Sequence, residues 1–446
     1  MEPMQIDAGH LCQGETSARN VEPDHVEMIR RLIAHFGKYA EGLFDYHDLG
    51  FPREAVRNHI SKVEAEIRRI EDMGSEAFLE IPREVLQSEI RDIWNAKKNL
   101  RYAAGALMMS SLRDDIRPEN RLRAIRLKIL YEVYVDTIDD LIDTDGYSFA
   151  DALDLMRHCL ESLTRSRFNR RIFREELSGR LSPVQRPKTE FLSCLGEAVH
   201  RSIWESPQGA SLVGELDRVQ ENWALGEAYT MYQKDPTLDV RAFLTGASRM
   251  DAPADDLEPW ERIAGWISHT TALSLLDLCY ADAPMSSKAL EEHLVAWFYF
   301  DAVVTLMNNV VDLQKDVEAG IANIFMIACG GAEVRELRTA RGFRPAPTTQ
   351  DYEAFLGRTA ELARRCLEHA GRSCNDADLF YPFLAVMAPV VMFVTEAGVR
   401  EDVLHAYLRT LAPIMRQVIA AGPEPLPTIP LGTRSGRNRS ARTASS

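Results

Sequence analysis

Thiol chemistry has little to work with in this sequence. Its seven cysteines (Cys12, Cys159, Cys194, Cys279, Cys329, Cys366 and Cys374) are an odd, scattered set with no CxxC pair. That speaks against a disulfide framework and against a thiolate zinc site, and it suits a reducing cytosol. Positive charge is also short: 52 Lys+Arg stand against 67 Asp+Glu, a formal net charge of −15. Affinity for nucleic acid comes mainly from Lys and Arg displacing counterions condensed on the phosphates, so an acidic chain is not expected to have a nucleic-acid partner. No GxGxxG or GxxxxGK[ST] opens a helix, and neither HExxH nor GxSxG occurs. Dinucleotide, P-loop, metalloprotease and nucleophile-elbow readings therefore find no support. The first twenty residues lack the basic start and apolar stretch of a secretory signal. The most apolar run, Leu379 to Thr395, contains Pro382 and Pro389 and is shorter than the roughly 20 residues that cross a bilayer. It reads as a buried core helix, so no membrane span is expected and the expected location is cytoplasmic.

What the sequence does have is helical periodicity. Apolar residues recur at three- and four-residue spacing, without the sustained alternation of strands, and no internal repeat is visible. Helical segments are expected at 26–36, 53–71, 82–112, 119–142, 148–164, 189–232, 257–280, 287–317, 349–371, 379–396 and 400–421, with Ser182-Pro183, Asp282-Ala283-Pro284 and Arg344-Pro345-Ala346-Pro347 as punctuation. Residues 1–24 are polar and patternless. Residues 422–446 are rich in Pro, Arg and Ser, and both ends are expected to be disordered. The fold expected for 25–421 is all-α, one large helical domain.

Two acidic clusters interrupt this pattern. The first is YVDTIDDLIDTDG, at the end of an apolar helix, where Asp136, Asp139, Asp140, Asp143 and Asp145 crowd together. Carboxylates four apart repel one another, and the C-terminal end of the helix dipole disfavours anions. No basic residue occurs from Tyr131 to Tyr147 to dilute that repulsion. A hard cation would resolve it: Mg²⁺ takes oxygen ligands, usually one or two carboxylates with substrate phosphates and waters. A helix end fraying into a solvated acidic loop is the plainer alternative. The second cluster is NNVVDLQKDVEAGIAN, in which Asn308, Asp312 and Asp316 fall at i, i+4 and i+8 and so share one stripe of a helix. Lys315 beside the last of them offers a point charge to a phosphate. The alternative is a solvent-facing stripe, but Val303, Val304, Leu306, Met307, Val310 and Val311 make the surroundings apolar.

These residues resemble the two metal motifs of a class I terpene synthase (terpene cyclase), in a divergent microbial-type form. Asp139-Asp140-Leu141-Ile142-Asp143 matches the aspartate-rich DDxxD motif. Asn308 to Asp316 is similar to the second motif, N-D-x-x-S-x-x-K-E: Asn308 and Lys315 match, while Asn309, Asp312 and Asp316 are substitutions, and Gly320 and Asn323 follow as they often do in the family. Microbial members place a diphosphate-sensing arginine 46 positions before the Asn, where this chain has Arg262, with Arg249 its nearest rival. The family's C-terminal Arg-Tyr pair is missing; only Arg400, Tyr407 and Arg409 stand near its place.

The resemblance implies a single bundle of the class I terpenoid synthase type that holds three Mg²⁺ ions. Asp139, Asp140 and Asp143 would be ligands on one side and Asn308, Asp312 and Asp316 on the other. Arg262 and Lys315 would bind the diphosphate of a linear prenyl substrate, farnesyl or geranylgeranyl. An apolar cavity would shelter the carbocation, with aromatic faces such as Trp266 and Trp297 beside it. Trp223, Tyr229, Tyr232, Phe298 and Phe300 are further candidates, and for each of these rings ordinary core packing is the alternative. The resemblance leaves a homodimer open. Two other readings stand beside the cyclase: a squalene or phytoene synthase-like condensing enzyme, since Asp136 to Asp140 also fits DxxxD, and a non-enzymatic helical scaffold.

Overall fold

The computed structural model describes residues 115–373 except 235–239, 331–337, 340–341 and 344–347, together with Ser110, Arg113 and five positions between 409 and 416. The segments expected at 26–36, 53–71, 82–112, 379–396 and 400–421 lie wholly or mostly outside these residues, as do both expected disordered ends.

Eleven α-helices are built from the described residues: α1 (Pro118–Asp145), α2 (Phe149–Thr164), α3 (Arg170–Arg180), α4 (Lys188–Trp204), α5 (Gly209–Lys234), α6 (Val240–Ala247), α7 (Pro259–Ile267), α8 (Thr270–Leu278), α9 (Ser287–Ala319), α10 (Ile324–Gly330) and α11 (Thr349–Ser373). A two-residue antiparallel ribbon pairs Arg338 with Phe343. The all-α expectation holds at this level. Local chemistry sets the ends. Pro118, whose missing N–H costs nothing at a helix start, opens α1, and Gly146 at φ 64° closes it in the left-handed region. Ser148 and Asn169 accept the Asp151 and Ile172 amides to cap α2 and α3, and Ser286 caps α9.

Two expected helices are each two helices. The stretch 189–232 breaks at Ser206-Pro207, where proline supplies no N–H to continue the ladder. The stretch 257–280 breaks at Ser268-His269 for a different reason: its freed backbone groups are taken by side chains from distant helices. The Trp223 indole N–H donates to the Ile267 carbonyl at 2.8 Å, and Asp301 accepts the Thr271 amide at 2.9 Å. Three helices were not anticipated. α3 is polar and buries only Phe173 and Leu177, while α6 and α10 are each about two turns long, too short for a clear period.

Helix α8 organises the bundle, since it packs on α1, α5 and α9, whereas α1 and α9 meet through it rather than by extensive packing on each other. Around this hub α9 lies against α7 and α11, α2 against α5, and α1 against α4. Two glycines permit the close approaches. A Cβ on Gly226 of α5 would sit 2.4 Å from the Trp266 carbonyl oxygen, and one on Gly265 would sit 2.3 Å from the Phe298 ring. Leu127, Leu130, Tyr131, Tyr134 and Val135 of α1 are fully buried, each apolar side chain contributing about 1.5–3 kcal/mol. Among the described residues one helix, α9, is long and apolar enough to cross a membrane, and 72% of its apolar window is buried inside the protein.

Candidate functional site

Helix α1 carries a ladder of ionisable residues at four-residue intervals up one face. Its buried base is Lys128, Glu132 and Asp136; at the top Asp139 is half-buried, and Asp140 and Asp143 reach solvent. Every buried rung has a charged neighbour, as a charge out of water requires. Lys128 Nζ donates to Asp277 Oδ2 at 2.9 Å. Glu132 pairs with His269 at the α7/α8 break. Burial works against the His269 imidazolium, but the charges of Glu132, Asp301 and Asp136 outweigh it and hold its pKa above the ordinary value. Asp136 thus belongs to the buried base, by His269, and not to the exposed top.

Helix α9 repeats the arrangement. Its base is Asp301, fully buried, which accepts both the Thr271 amide and, at 2.6 Å, the Thr271 hydroxyl through Oδ2. Oδ1 has no hydrogen-bond partner among the described residues, and burial pushes the carboxyl up to about 6. Two turns higher the expected ligands appear, half-buried. Asn308 Nδ2 donates to Asp312 Oδ2 at 3.1 Å, and Lys315, largely in solvent, places Nζ 3.9 Å from Asp312 Oδ1.

The chain then turns sharply so that Asp316 is held from below. Gly320, at φ 73°, closes α9, and the Ile321 amide returns to the Asp316 carbonyl at 2.8 Å. Asn323, fully buried, donates through Nδ2 to Asp316 Oδ2 at 2.6 Å and to the Asn309 carbonyl at 2.8 Å. Asn309 Oδ1 accepts the Ile324 amide at 2.9 Å, which gives this residue a structural task in the turn. Burial raises the Asp316 pKa, with Asp312 adding to the shift; the Asn323 hydrogen bond and the charges of Lys315 and Lys234 oppose it.

One residue joins the two tops. Lys234, the last residue of α5, forms an ion pair with Asp143 and is close enough to Asp316 for its charge to favour that carboxylate. Its neighbour Gln233 fixes the backbone there. Gln233 Nε2 donates to the Ala322 carbonyl and the Ala322 amide donates to the Gln233 carbonyl, both at 2.8 Å. The α1 and α9 clusters, more than 160 residues apart in sequence, therefore share one end of the bundle, with a lysine between them. Nothing in the local sequence marks Lys234: it belongs to no motif and is 91 positions from its partner.

The other expected residues sit as follows. The Arg262 guanidinium donates to the carbonyls of Met250, Asp255 and Leu257, each at 3.3 Å, so here it braces the loop before α7. Its rival Arg249 is exposed and lies near Tyr229, in a ring cluster with Phe149 and Tyr232. Trp266 is buried edge-on against Phe298 and donates Nε1–H to the Asp251 carbonyl at 2.7 Å. Trp297 is buried edge-on against Phe300. Of the residues near the absent Arg-Tyr pair, Arg409 is exposed, and Arg400 and Tyr407 lie outside the described residues.

The donors at this end are carboxylates and amides, the hard oxygen set that suits Mg²⁺. Among the described residues no three His, Cys, Asp or Glu side chains converge closely enough to hold an ion by themselves. A cation here would depend on the amide donor Asn308 and on oxygens brought by a ligand. No protein-family model matches this chain, and no curated protein matches it.

Proposed function

We propose that the protein is a Mg²⁺-dependent class I terpene cyclase, which ionises a linear prenyl diphosphate, farnesyl or geranylgeranyl, and cyclises the carbocation. The observation that carries this reading is the meeting of the α1 and α9 clusters at one end of the bundle, linked by Lys234 and by the Gln233–Ala322 hydrogen bonds. Asp139, Asp140 and Asp143 with Asn308, Asp312 and Asp316 would hold the metal, and burial with the neighbouring Asp312 raises the Asp316 pKa despite Lys315 and Lys234. Bound Mg²⁺ supplies the positive charge that makes diphosphate a good leaving group.

The protein's own groups complete that task. Lys315, free to swing in solvent on its long stem, would add a point charge to the diphosphate oxygens. Arg262 would reach them only by giving up three loop carbonyls, so its role as a sensor requires the 250–257 loop to rearrange. The apolar flanks of the α9 stripe, Val303, Leu306, Met307 and Val310, are buried and would offer the cation a surface without water.

A condensing enzyme that reads DxxxD would need Asp136 as a ligand, yet Asp136 is buried beside His269. That disfavours the squalene synthase-like reading. Incubation with farnesyl and geranylgeranyl diphosphate plus Mg²⁺, followed by analysis of volatile products, tests the proposal. Cyclic hydrocarbons or alcohols with released diphosphate are expected; no diphosphate release from any prenyl chain length would refute it, and a doubled-carbon product would favour condensation.

A further inference from the structure

We propose that Lys234 is a substrate-binding residue for diphosphate, held by Asp143 until a divalent cation takes that carboxylate. This rests on the cyclase reading of the two clusters. It adds a residue that neither acidic motif contains.

The geometry separates a fixed part from a movable one. Gln233 is pinned through its main chain and its side chain to Ala322, and Ala322 precedes Asn323, which grips Asp316. The backbone at the end of α5 is therefore registered against the second cluster. Lys234 itself has a half-buried side chain with a flexible four-carbon stem, and its ammonium rests on Asp143 of the first cluster. From that fixed root the ammonium can sweep the space between the two sets of carboxylates, which is where a diphosphate held by both would lie. Lys315 stands beside Asp312 of the second cluster, so its charge would add to that of Lys234 rather than replace a lysine paired with the first cluster.

Charge decides the order of events. A divalent cation shared by Asp143, the neighbouring rim carboxylates and the diphosphate oxygens would compete for Asp143 more effectively than a single ammonium does. With Asp143 engaged in that way Lys234 would be released, and its ammonium would be within reach of the phosphate oxygens. The same side chain opposes metal alone and favours metal with diphosphate. This opposition of sign separates a substrate role from a merely structural one.

The test is calorimetric titration of the full chain and of Lys234→Gln with Mg²⁺ alone and then with inorganic diphosphate in saturating Mg²⁺, with Lys234→Arg as the conservative variant and melting temperatures as a fold check. Lys234→Gln should bind Mg²⁺ at least as tightly as the parent but Mg²⁺-diphosphate about tenfold or more weakly, the loss of one charge-assisted contact. Lys234→Arg should recover most of that loss. Unchanged diphosphate affinity in Lys234→Gln, where Asp140→Ala abolishes binding, overturns the assignment of Lys234 and leaves the cyclase reading standing. Equal weakening of both titrations also overturns it, as a structural role. A parent protein that binds no Mg²⁺-diphosphate overturns both readings.

Discussion

Lys128 and Asp277 form an ion pair at 2.9 Å in the protein interior, where the two side chains are 0% and 2% exposed. The pair ties the base of α1 to the end of α8, and Ser110 Oγ donates to the second Asp277 oxygen at 2.6 Å. Removing one partner strands a buried charge, at a cost of about 3–5 kcal/mol, whereas replacing both with apolar groups is often close to neutral. Lys128→Met alone should therefore lower unfolding stability by about that amount, and Lys128→Met with Asp277→Leu should recover most of it. Urea unfolding of the four proteins gives the coupling; additive losses would mean that the two charges are solvated independently.

Asp301 should leave a signature in the pH profile of stability. Its carboxyl is pushed up to about 6 against an ordinary value of 3.8. Between these values the folded protein keeps a proton that the unfolded chain has released, so stability falls as pH rises through that window and stays lower above it, by on the order of 3 kcal/mol. Asp301→Asn removes the effect. The buried His293, pushed down to about 3, acts in the opposite direction, so the quantity to follow is the difference between parent and variant. That difference should move against the parent from pH 4 to 6 and then level off; a flat difference would place the Asp301 titration elsewhere.

The turn after α9 rests on the fully buried Asn323, whose side chain makes three hydrogen bonds, to Asp316 Oδ2, to the Asn309 carbonyl and from the Phe325 amide. Asn323→Ala should cost about 1–3 kcal/mol, the penalty of buried polar groups left without partners. The same change should weaken Mg²⁺-diphosphate binding, because Asp316 loses its support. Thermal unfolding and calorimetry measure the two losses; a stability loss with binding intact would confine Asn323 to a structural role.

At the rim the expectation is reversed. Asp140 is exposed and Asn308 half-buried, so Asp140→Ala and Asn308→Ala should abolish prenyl diphosphate turnover while shifting stability by less than about 1 kcal/mol. Full activity in either variant would remove that residue from the proposed metal site. Arg262→Ala against Arg249→Ala, assayed the same way, decides which arginine answers to diphosphate.

The all-α architecture and the positions of both acidic clusters were legible in the sequence, because each is a periodic pattern confined to one helix. The gap at Ser268-His269 was not, since its cause lies in Trp223 and Asp301, on other helices. Lys234 was hidden for the same reason: a lone lysine acquires meaning only when the fold sets it against Asp143. The ladder on α1 was half legible. Asp136 to Asp143 stood out as carboxylates without basic neighbours, but the division into a buried base and an open rim depends on partners more than a hundred positions away, such as Asp277 and His269.

The α7/α8 gap has a further consequence, for the order of assembly. Its closing contacts span 30 positions for Thr271–Asp301, 44 for Trp223–Ile267 and 137 for Glu132–His269. These contacts can form only once distant parts of the chain have come together, and they carry the entropic cost of loop closure. Until they form, the segment 259–278 has no distant side chains to take its backbone groups at the gap, and one uninterrupted helix remains open to it. The kink is thus a tertiary feature expressed in a local stretch of backbone, and the carboxylate rim above it takes its final spacing only when the three distant helices have docked.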